Sequence, residues 1–162
     1  MEVIYKKVPP SDSHFYRALR LESLKHNPEA FETSYQESVN TPELHFEKLI
    51  KENNPNKFVM GAYVKNKLVG LCAFVDYNKH DVIDSGTLIQ MYVTAKFRGL
   101  NISKSLLLAV KSEVMKIKHI HAILLEVKKS NSIAVNTYIK NGFINYGKDA
   151  DVQDFLMITQ LK

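Results

Sequence analysis

The stretch from Leu88 to Phe143 constrains the fold most, because it reads as strand, turn, helix, strand and helix with short joins. Leu88-Ile89-Gln90-Met91-Tyr92-Val93 is a strand, with Ile89, Met91 and Val93 expected on one face. Arg98-Gly99-Leu100-Asn101-Ile102-Ser103 is a small-residue turn that opens straight into a helix striped with Leu106, Leu107, Val110, Val114 and Ile117. Ala122 to Val127 is a near-continuous apolar run, as expected for a strand inside a sheet. Asn131 to Asn141 is predicted as helix, with Gly142 as its left-handed stop. A strand that empties through such a turn into a helix leaves backbone N–H groups free at the positive end of the helix dipole. Together they attract phosphate. This half therefore reads as the place for a phosphate-bearing ligand, and the rest of the chain as the platform for a second one.

The totals narrow the class. A chain of 162 residues, 45% hydrophobic and 24% charged, fits one domain (1–162) with a substantial core. No apolar run approaches a membrane span, and Met1-Glu2-Val3-Ile4-Tyr5-Lys6-Lys7 lacks the layout of a signal peptide. The lone Cys72 lies in the apolar run Leu68 to Val75, without a disulfide partner, so it reads as a buried strand thiol in a reducing, cytoplasmic compartment. The net charge of +5 favours an anionic ligand, but no dense Lys/Arg run with interleaved aromatics points to nucleic acid. His119-Ile120-His121 is not metal spacing on a helix, and no metal is expected. No Gly-x-x-x-x-Gly-Lys-Ser/Thr loop is present, which argues against a nucleotide triphosphatase.

Before the central stretch, Glu2 to Val8 alternates as a strand and stops at Pro9-Pro10. Phe15, Ala18, Leu19 and Leu24 suggest a helix over Asp12 to Lys25, broken at Asn27-Pro28. Glu29 to Tyr35 is expected as a loop, and Thr41-Pro42 as the cap and first turn of a helix carrying Leu44, Phe46, Leu49 and Ile50. Phe58 to Val64 and Leu68 to Tyr77 make a hairpin about Lys65-Asn66-Lys67. Asn78 to Gly86 is predicted as loop, and Phe155 to Leu161 as the last strand. The order β-α-α-β-β-β-α-β-α-β implies an α/β (mixed α+β) fold, a mixed sheet with helices on both faces.

Two segments carry a family pattern. The run Leu125-Glu126-Val127-x-x-x-Asn131-x-x-Ala134-x-x-x-Tyr138-x-Lys140-x-Gly142-Phe143 resembles the second half of the GCN5-related N-acetyltransferases, the GNAT superfamily. The turn Arg98 to Ser103 resembles that family's Gln/Arg-x-x-Gly-x-Gly/Ala, with Asn101 and Ser103 in place of Gly and Gly/Ala. Asn is the non-glycine residue that best tolerates a left-handed backbone, and Ser is still small. Arg17 to Glu22, Pro28 to Phe31 and Ser34-Tyr35 resemble a set of bacterial members, so the likeness covers nearly the whole chain.

The resemblance implies a mostly antiparallel GNAT-like sheet and acetyl-coenzyme A as co-substrate, without a metal. It places the pantetheine arm along Met91 and Val93, and the pyrophosphate on the N–H groups of Arg98, Gly99, Leu100, Asn101, Ile102, Ser103 and Lys104. The reaction implied is direct acetyl transfer to a primary amine of a small molecule or peptide, by a monomer or homodimer. Acetyl transfer to an amine needs a neutral amine, a polarised carbonyl and a stabilised leaving thiolate. Tyr138 suits the thiolate side, because a phenol near ~10 stays protonated at neutral pH. Asn131, seven residues earlier, falls on the same helix face. Many members carry a Glu on the central strand as base, where this chain has Gln90. Glu126 is the substitute, although carboxylates near ~4.3 make weak bases without burial or a relaying water. Glu126 could equally be a strand carboxylate paired with a lysine such as Lys128, and both readings stand at this stage. Glu22, Glu32, Tyr35 and Glu37 are candidates for the acceptor pocket, whose acids fit a cationic acceptor. The rival reading is a non-catalytic acyl-coenzyme A binder, a sensor or partner module of the same fold, suggested by Asn101, Ser103 and the missing central-strand Glu.

Overall fold

The structure is a computed structural model describing residues 1–162. Its strands are β1 (Ile4–Lys7), β2 (Phe58–Val64), β3 (Lys67–Val75), β4 (Ser85–Val93), β5 (Ala122–Lys128), β6 (Ile144–Asn145) and β7 (Asp154–Gln160). Its α-helices are α1 (Ser13–His26), α2 (Tyr35–Val39), α3 (His45–Lys51), α4 (Ile102–Val114) and α5 (Ser132–Lys140). The strands form one sheet in the order β1-β2-β3-β4-β5-β7-β6, antiparallel everywhere except between β4 and β5. No helix is long and apolar enough to cross a membrane.

The β2–β3 hairpin forms as its turn chemistry requires. Lys65 and Asn66 both take positive φ, 48° and 66°, the two-residue turn whose twist matches the flanking strands. Alternation then distributes the side chains. Phe58, Met60, Cys72, Phe74, Ile123 and Leu125 pack with Leu106, Leu107 and Val110 of α4 on one face. Val59, Tyr63, Leu71 and Ala73 pack with Tyr16 and Leu19 of α1 and Phe46, Leu49 and Ile50 of α3 on the other.

Several expectations need correcting. The buried stripe of α1 is Tyr16, Leu19, Arg20, Ser23 and Leu24, while Phe15 and Ala18 are exposed. α3 starts at His45, not at Pro42. The Glu47 carboxylate accepts from the Leu44 N–H at its start, and the Thr41 hydroxyl instead donates to the Glu37 carbonyl at the end of α2. That short α2, with Ser34 accepting from the Glu37 N–H, follows directly on the expected loop, and β6 is a further element that two residues could not signal. β4 begins at Ser85 and α4 ends at Val114, three residues before Ile117.

The centre of the sheet departs most from simple alternation. Leu71 pairs with Tyr92 but Ala73 pairs with Ile89, so Gln90 and Met91 together oppose Cys72. This is a β-bulge, and Gln90 holds a left-handed φ of 59° within it. The Tyr16 hydroxyl donates to Gln90 Oε1 at 2.7 Å and ties the bulge to α1. The bulge shifts the phase of the strand. Val93 packs on the α4 side, while Ile89 packs with the α1 cluster, so the expected grouping of Ile89 with Met91 and Val93 does not hold.

Just before the bulge the sheet parts. β4 and β5 pair only over Ser85–Thr87 and Ala122–Leu124. Beyond that point β4 stays with β3 as far as Val93, and β5 stays with β7 as far as Lys128. The result is a wedge between the two central strands, open toward their C-terminal ends, at the end of the parallel segment where open α/β sheets bind ligands.

Gly86 sits at the apex of that wedge. A Cβ there would lie 2.5 Å from the Val75 carbonyl oxygen and 2.3 Å from the Phe74 ring. We expect Gly86→Ala to lower unfolding free energy by about 1–3 kcal/mol, the usual cost of overpacking a core. Urea denaturation at unchanged m-value checks this, and an unchanged midpoint would mean the apex relaxes freely.

Candidate active site

The wedge opens into a cavity of about 710 Å³ between the end of β4, the start of α4 and one face of α5. Its first wall is the turn predicted to hold phosphate. Gly99 and Asn101 take positive φ, 78° and 60°, so Asn101 occupies the left-handed position as expected. None of the backbone N–H groups of Gly99, Leu100, Asn101, Ile102, Ser103 or Lys104 donates to a backbone carbonyl. The first bond of α4 is Ser105 N–H to the Asn101 carbonyl. Successive N–H groups turned inward by left-handed residues, at a helix start, form a concavity for an anion. Arg98, Gly99, Asn101, Ile102, Ser103 and Lys104 line the cavity, whereas the Leu100 side chain is exposed at 51%. With Lys140 on α5, the rim carries three cationic side chains.

Met91 and Val93 line the second wall. Thr94 N–H donates to Val69 on β3, and strand alternation turns Val93 toward the wedge. The Val93 carbonyl accepts from Arg98 Nε at 2.9 Å, which leaves its N–H facing the opening and fixes the Arg98 guanidinium across the Tyr92 ring.

The third wall is α5. Asn131 caps it, its Oδ1 accepting from the Ala134 N–H at 3.2 Å, and Asn131, Ala134 and Tyr138 all face the cavity. Tyr138 is buried with its ring edge-on to Phe143 at 5.7 Å. Burial raises the pKa of its phenol well above the ordinary range, and the neighbouring Cys72 thiol adds to the shift. The hydroxyl therefore keeps its proton.

Glu126 stands apart from that cavity. Leu125 and Val127 pack on the Tyr138 side of β5, so Glu126 between them points to the opposite face. Its Oε2 accepts from His80 Nε2 at 2.9 Å and Lys79 Nζ at 3.2 Å. Lys128, the alternative partner in the sequence, pairs instead with Asp154 at 3.4 Å. The hydrogen bond to Glu126 raises the Lys79 pKa most, and the fields of Glu32 and Asp151 add to it. The loop before α2, the β3–β4 loop and the loop before β7 thus converge at the open end of β5. Sequence reasoning missed His80, because Glu126 and His80 are 46 positions apart and no local spacing links them.

The remaining acceptor candidates separate. Glu22 accepts from the Tyr92 hydroxyl at 2.8 Å and from the Thr94 hydroxyl, so it ties α1 to the end of β4. Burial and that carboxylate push the Tyr92 phenol up to about 12. Glu32 and Tyr35 line a shallower hollow of about 430 Å³, with Leu24 and Phe31. Glu37 lies on α2 and is not among the residues of either cavity. Beneath the Phe31 ring, 4.6 Å from its centroid, lies the guanidinium of Arg20, a buried residue that the sequence reading passed over. No three His, Cys, Asp or Glu side chains come together as a metal site.

No curated protein matches the chain. Its fold is similar to that of a GNAT-family acetyltransferase from Streptococcus pneumoniae, at 17% identity and a TM-score of 0.74, over 99% of this chain and 100% of that one. It is likewise similar to the PaiA N-acetyltransferase of Thermoplasma acidophilum, solved in complex with coenzyme A, at 23% identity and a TM-score of 0.67, covering 99% of each chain. YncA of Salmonella typhimurium, solved with acetyl-coenzyme A, shares 12% identity at a TM-score of 0.77, over 100% of this chain and 95% of its own. The family model described as Acetyltransferase (GNAT) family matches residues 19–143, from α1 through the wedge to the end of the α5 motif, and the chain belongs to that family.

Proposed function

We propose that this protein is an N-acetyltransferase that moves acetyl from acetyl-coenzyme A directly to a primary amine. The observation that carries the reading is the unpartnered row of N–H groups from Gly99 to Lys104, on the wall of a cavity that also holds the Tyr138 hydroxyl. Acetyl-coenzyme A supplies an activated acetyl thioester and, at its other end, the phosphates that such a turn binds. Arg98, Lys104 and Lys140 add positive charge around it, and Met91 and Val93 offer the strand edge for an amide-bearing arm. Coenzyme A and acetyl-coenzyme A in the Thermoplasma and Salmonella structures support the same choice.

The residues divide the proton work across the wedge. On the α5 face, Tyr138 Oη holds a proton in a buried setting and supplies it on the leaving-sulfur side. On the opposite face, Glu126 holds His80, and this pair takes the proton that an approaching amine must lose. Imidazole is the side chain whose ordinary titration lies nearest neutrality, which suits that task better than a carboxylate alone. Lys79 on the same oxygen holds the Glu126 carboxylate in place. Gln90, at the bulge between the two faces, is held by Tyr16 and takes no proton.

Calorimetry with acetyl-coenzyme A, followed by thioester consumption against a panel of amines and peptide N-termini, tests the proposal. Binding should weaken with salt, and Asn101→Gly should keep or tighten it, because glycine adopts the left-handed position without strain. Absence of binding removes the proposal. Binding with no acetylation of any amine would instead mark the protein as a sensor of acyl-coenzyme A.

Tyr138→Phe keeps the ring packing and removes the hydroxyl. Single-turnover acetyl transfer should slow by about 10- to 100-fold, the low end of general acid catalysis, with cofactor affinity unchanged. Since burial raises its pKa, Tyr138 should add no alkaline limb to the pH–rate profile of the parent enzyme below about pH 10. An unchanged single-turnover rate in the variant would exclude Tyr138 as donor.

Glu126→Gln and His80→Gln should each reduce kcat by about 10²-fold with little effect on cofactor affinity. Both losses should shrink as pH rises, because a larger fraction of the acceptor amine is then already neutral. Full activity in either variant would separate that residue from proton removal.

A further inference from the structure

α1 carries two arginines on neighbouring turns, and they are treated differently. Arg17 is engaged through both terminal nitrogens, donating to Glu47 Oε2 at 2.9 Å, to the Thr41 carbonyl at 2.9 Å and to the carbonyls of Ser38 and Val39. Arg20 is more deeply buried, at 7% exposure, yet none of the protein's ion pairs includes it. Its Nη1 is enclosed and has no hydrogen-bond acceptor. Burial alone lowers its pKa, and a guanidinium remains charged in any folded protein. An enclosed cation without an acceptor destabilises a fold, and an apolar side chain of similar volume would ordinarily replace it with gain. Its acceptor must come from outside the chain, as a buried water or as an anion.

The surroundings say where that anion sits. On the buried stripe of α1, Tyr16 lies one turn before Arg20 and Leu24 one turn after. Tyr16 reaches the Gln90 bulge at the wedge, and Leu24 lines the hollow shared with Phe31, Glu32 and Tyr35. The Phe31 ring covers the guanidinium, the stacking that a planar cation prefers. Arg20 therefore lies between the parting of the central strands and the loop that faces the acceptor side.

We propose that Arg20 is an anchor for a carboxylate on the acceptor, so that the acetylated amine belongs to a molecule that also bears a carboxylate, an amino acid or a peptide acid. The inference rests on the acetyltransferase reading above and narrows its substrate class. A single guanidinium balances a single negative charge and offers it two parallel N–H groups. A phosphate dianion would leave one of its two charges unmatched by the single guanidinium. The Glu126–His80 pair and the carboxylate of Glu32 then face the amino end, so that the two ends of a zwitterion meet opposite charge.

The test pairs the parent protein with Arg20→Met and Arg20→Lys. Thermal shift is measured with N-acetyl-amino acids and their matched carboxamides, with and without coenzyme A. kcat/KM is measured for free amino acids and dipeptides against their amides. Acids should stabilise the parent more than amides do, and should be preferred in kcat/KM by about 10- to 100-fold, chiefly through KM. In Arg20→Met that preference should fall to near unity, in Arg20→Lys it should be partly kept, and the ligand-free melting temperature of Arg20→Met should equal or exceed the parent's. Acetyl-coenzyme A affinity should be unchanged in both variants. Equal response to acids and amides in the parent overturns the proposal, as does an acid preference that survives Arg20→Met. A melting temperature that drops in Arg20→Met marks Arg20 as structural and overturns it too. A larger effect of O-phosphoethanolamine over ethanolamine than of any acid over its amide would replace the carboxylate by phosphate. Because thermal shift needs no turnover, failure of the acetyltransferase reading appears separately, as absent calorimetric binding of acetyl-coenzyme A.

Discussion

The bulge at Gln90 is the constraint on which the rest of the architecture depends. It sets two residues of β4 against one of β3, and it does so with a non-glycine residue in the left-handed region. Such a residue costs on the order of 1 kcal/mol, so it persists only where neighbours over-determine it. Here the Tyr16 hydroxyl holds the side chain, and α1 presses the strand from below. The bulge bends β4 away from β5, and with it the ladder between them ends after Thr87. A continuous sheet would bury both faces and leave no passage. A parted one places Tyr138 on one side, Glu126 on the other, and an opening between.

The phosphate-type turn depends on the same parting. The chain leaves β4, turns through Ala95–Phe97 and Arg98, and starts α4 beside the open edge. Arg98 anchors back on the Val93 carbonyl, which keeps the turn close to the strand end. The helix start cannot satisfy its own first N–H groups, and no side chain caps it. In most helices a Ser, Thr, Asp or Asn does that work. Asn101 stands at the capping position but is left-handed, its side chain accepting nothing from the helix. The turn thus leaves its N–H groups without partners in the chain, at some expense in the stability of α4 itself.

Charge follows the two faces. Cations gather around the cavity on the α5 side, from Arg98 to Lys140. On the other side, carboxylates outnumber cations in the loops that meet near Glu126, where Lys79 pairs with that carboxylate, and Arg20 lies beneath Phe31 on α1. The net charge of +5 says nothing of this division. A separation of this kind suits a reaction in which a polyanionic carrier and an amine approach one bond from opposite sides.

Elements whose cause is local are legible in the sequence. The Lys65-Asn66 turn, the glycine stop at Gly142, the left-handed Asn101 and the apolar run of β5 each arise from backbone preference or from periodicity over a few residues. The seven-residue spacing of Asn131 and Tyr138 puts both on one helix face, and both line one cavity wall. Tertiary structure alone decided the rest. A bulge inverts the facing of every later residue, so Ile89 and Val93 could not be assigned to their faces by alternation. The expected stripe of α1 takes in Phe15 and Ala18, whereas the spacing of Tyr16, Leu19, Ser23 and Leu24 marks Arg20 as a buried cation. Glu126 found His80 and Lys79 rather than Lys128, because neighbours on a strand point to opposite faces and partners come from whichever loop closes over the end. Such pairings depend on where long-range loops come to rest, and side-chain contacts across that distance have no period along the chain.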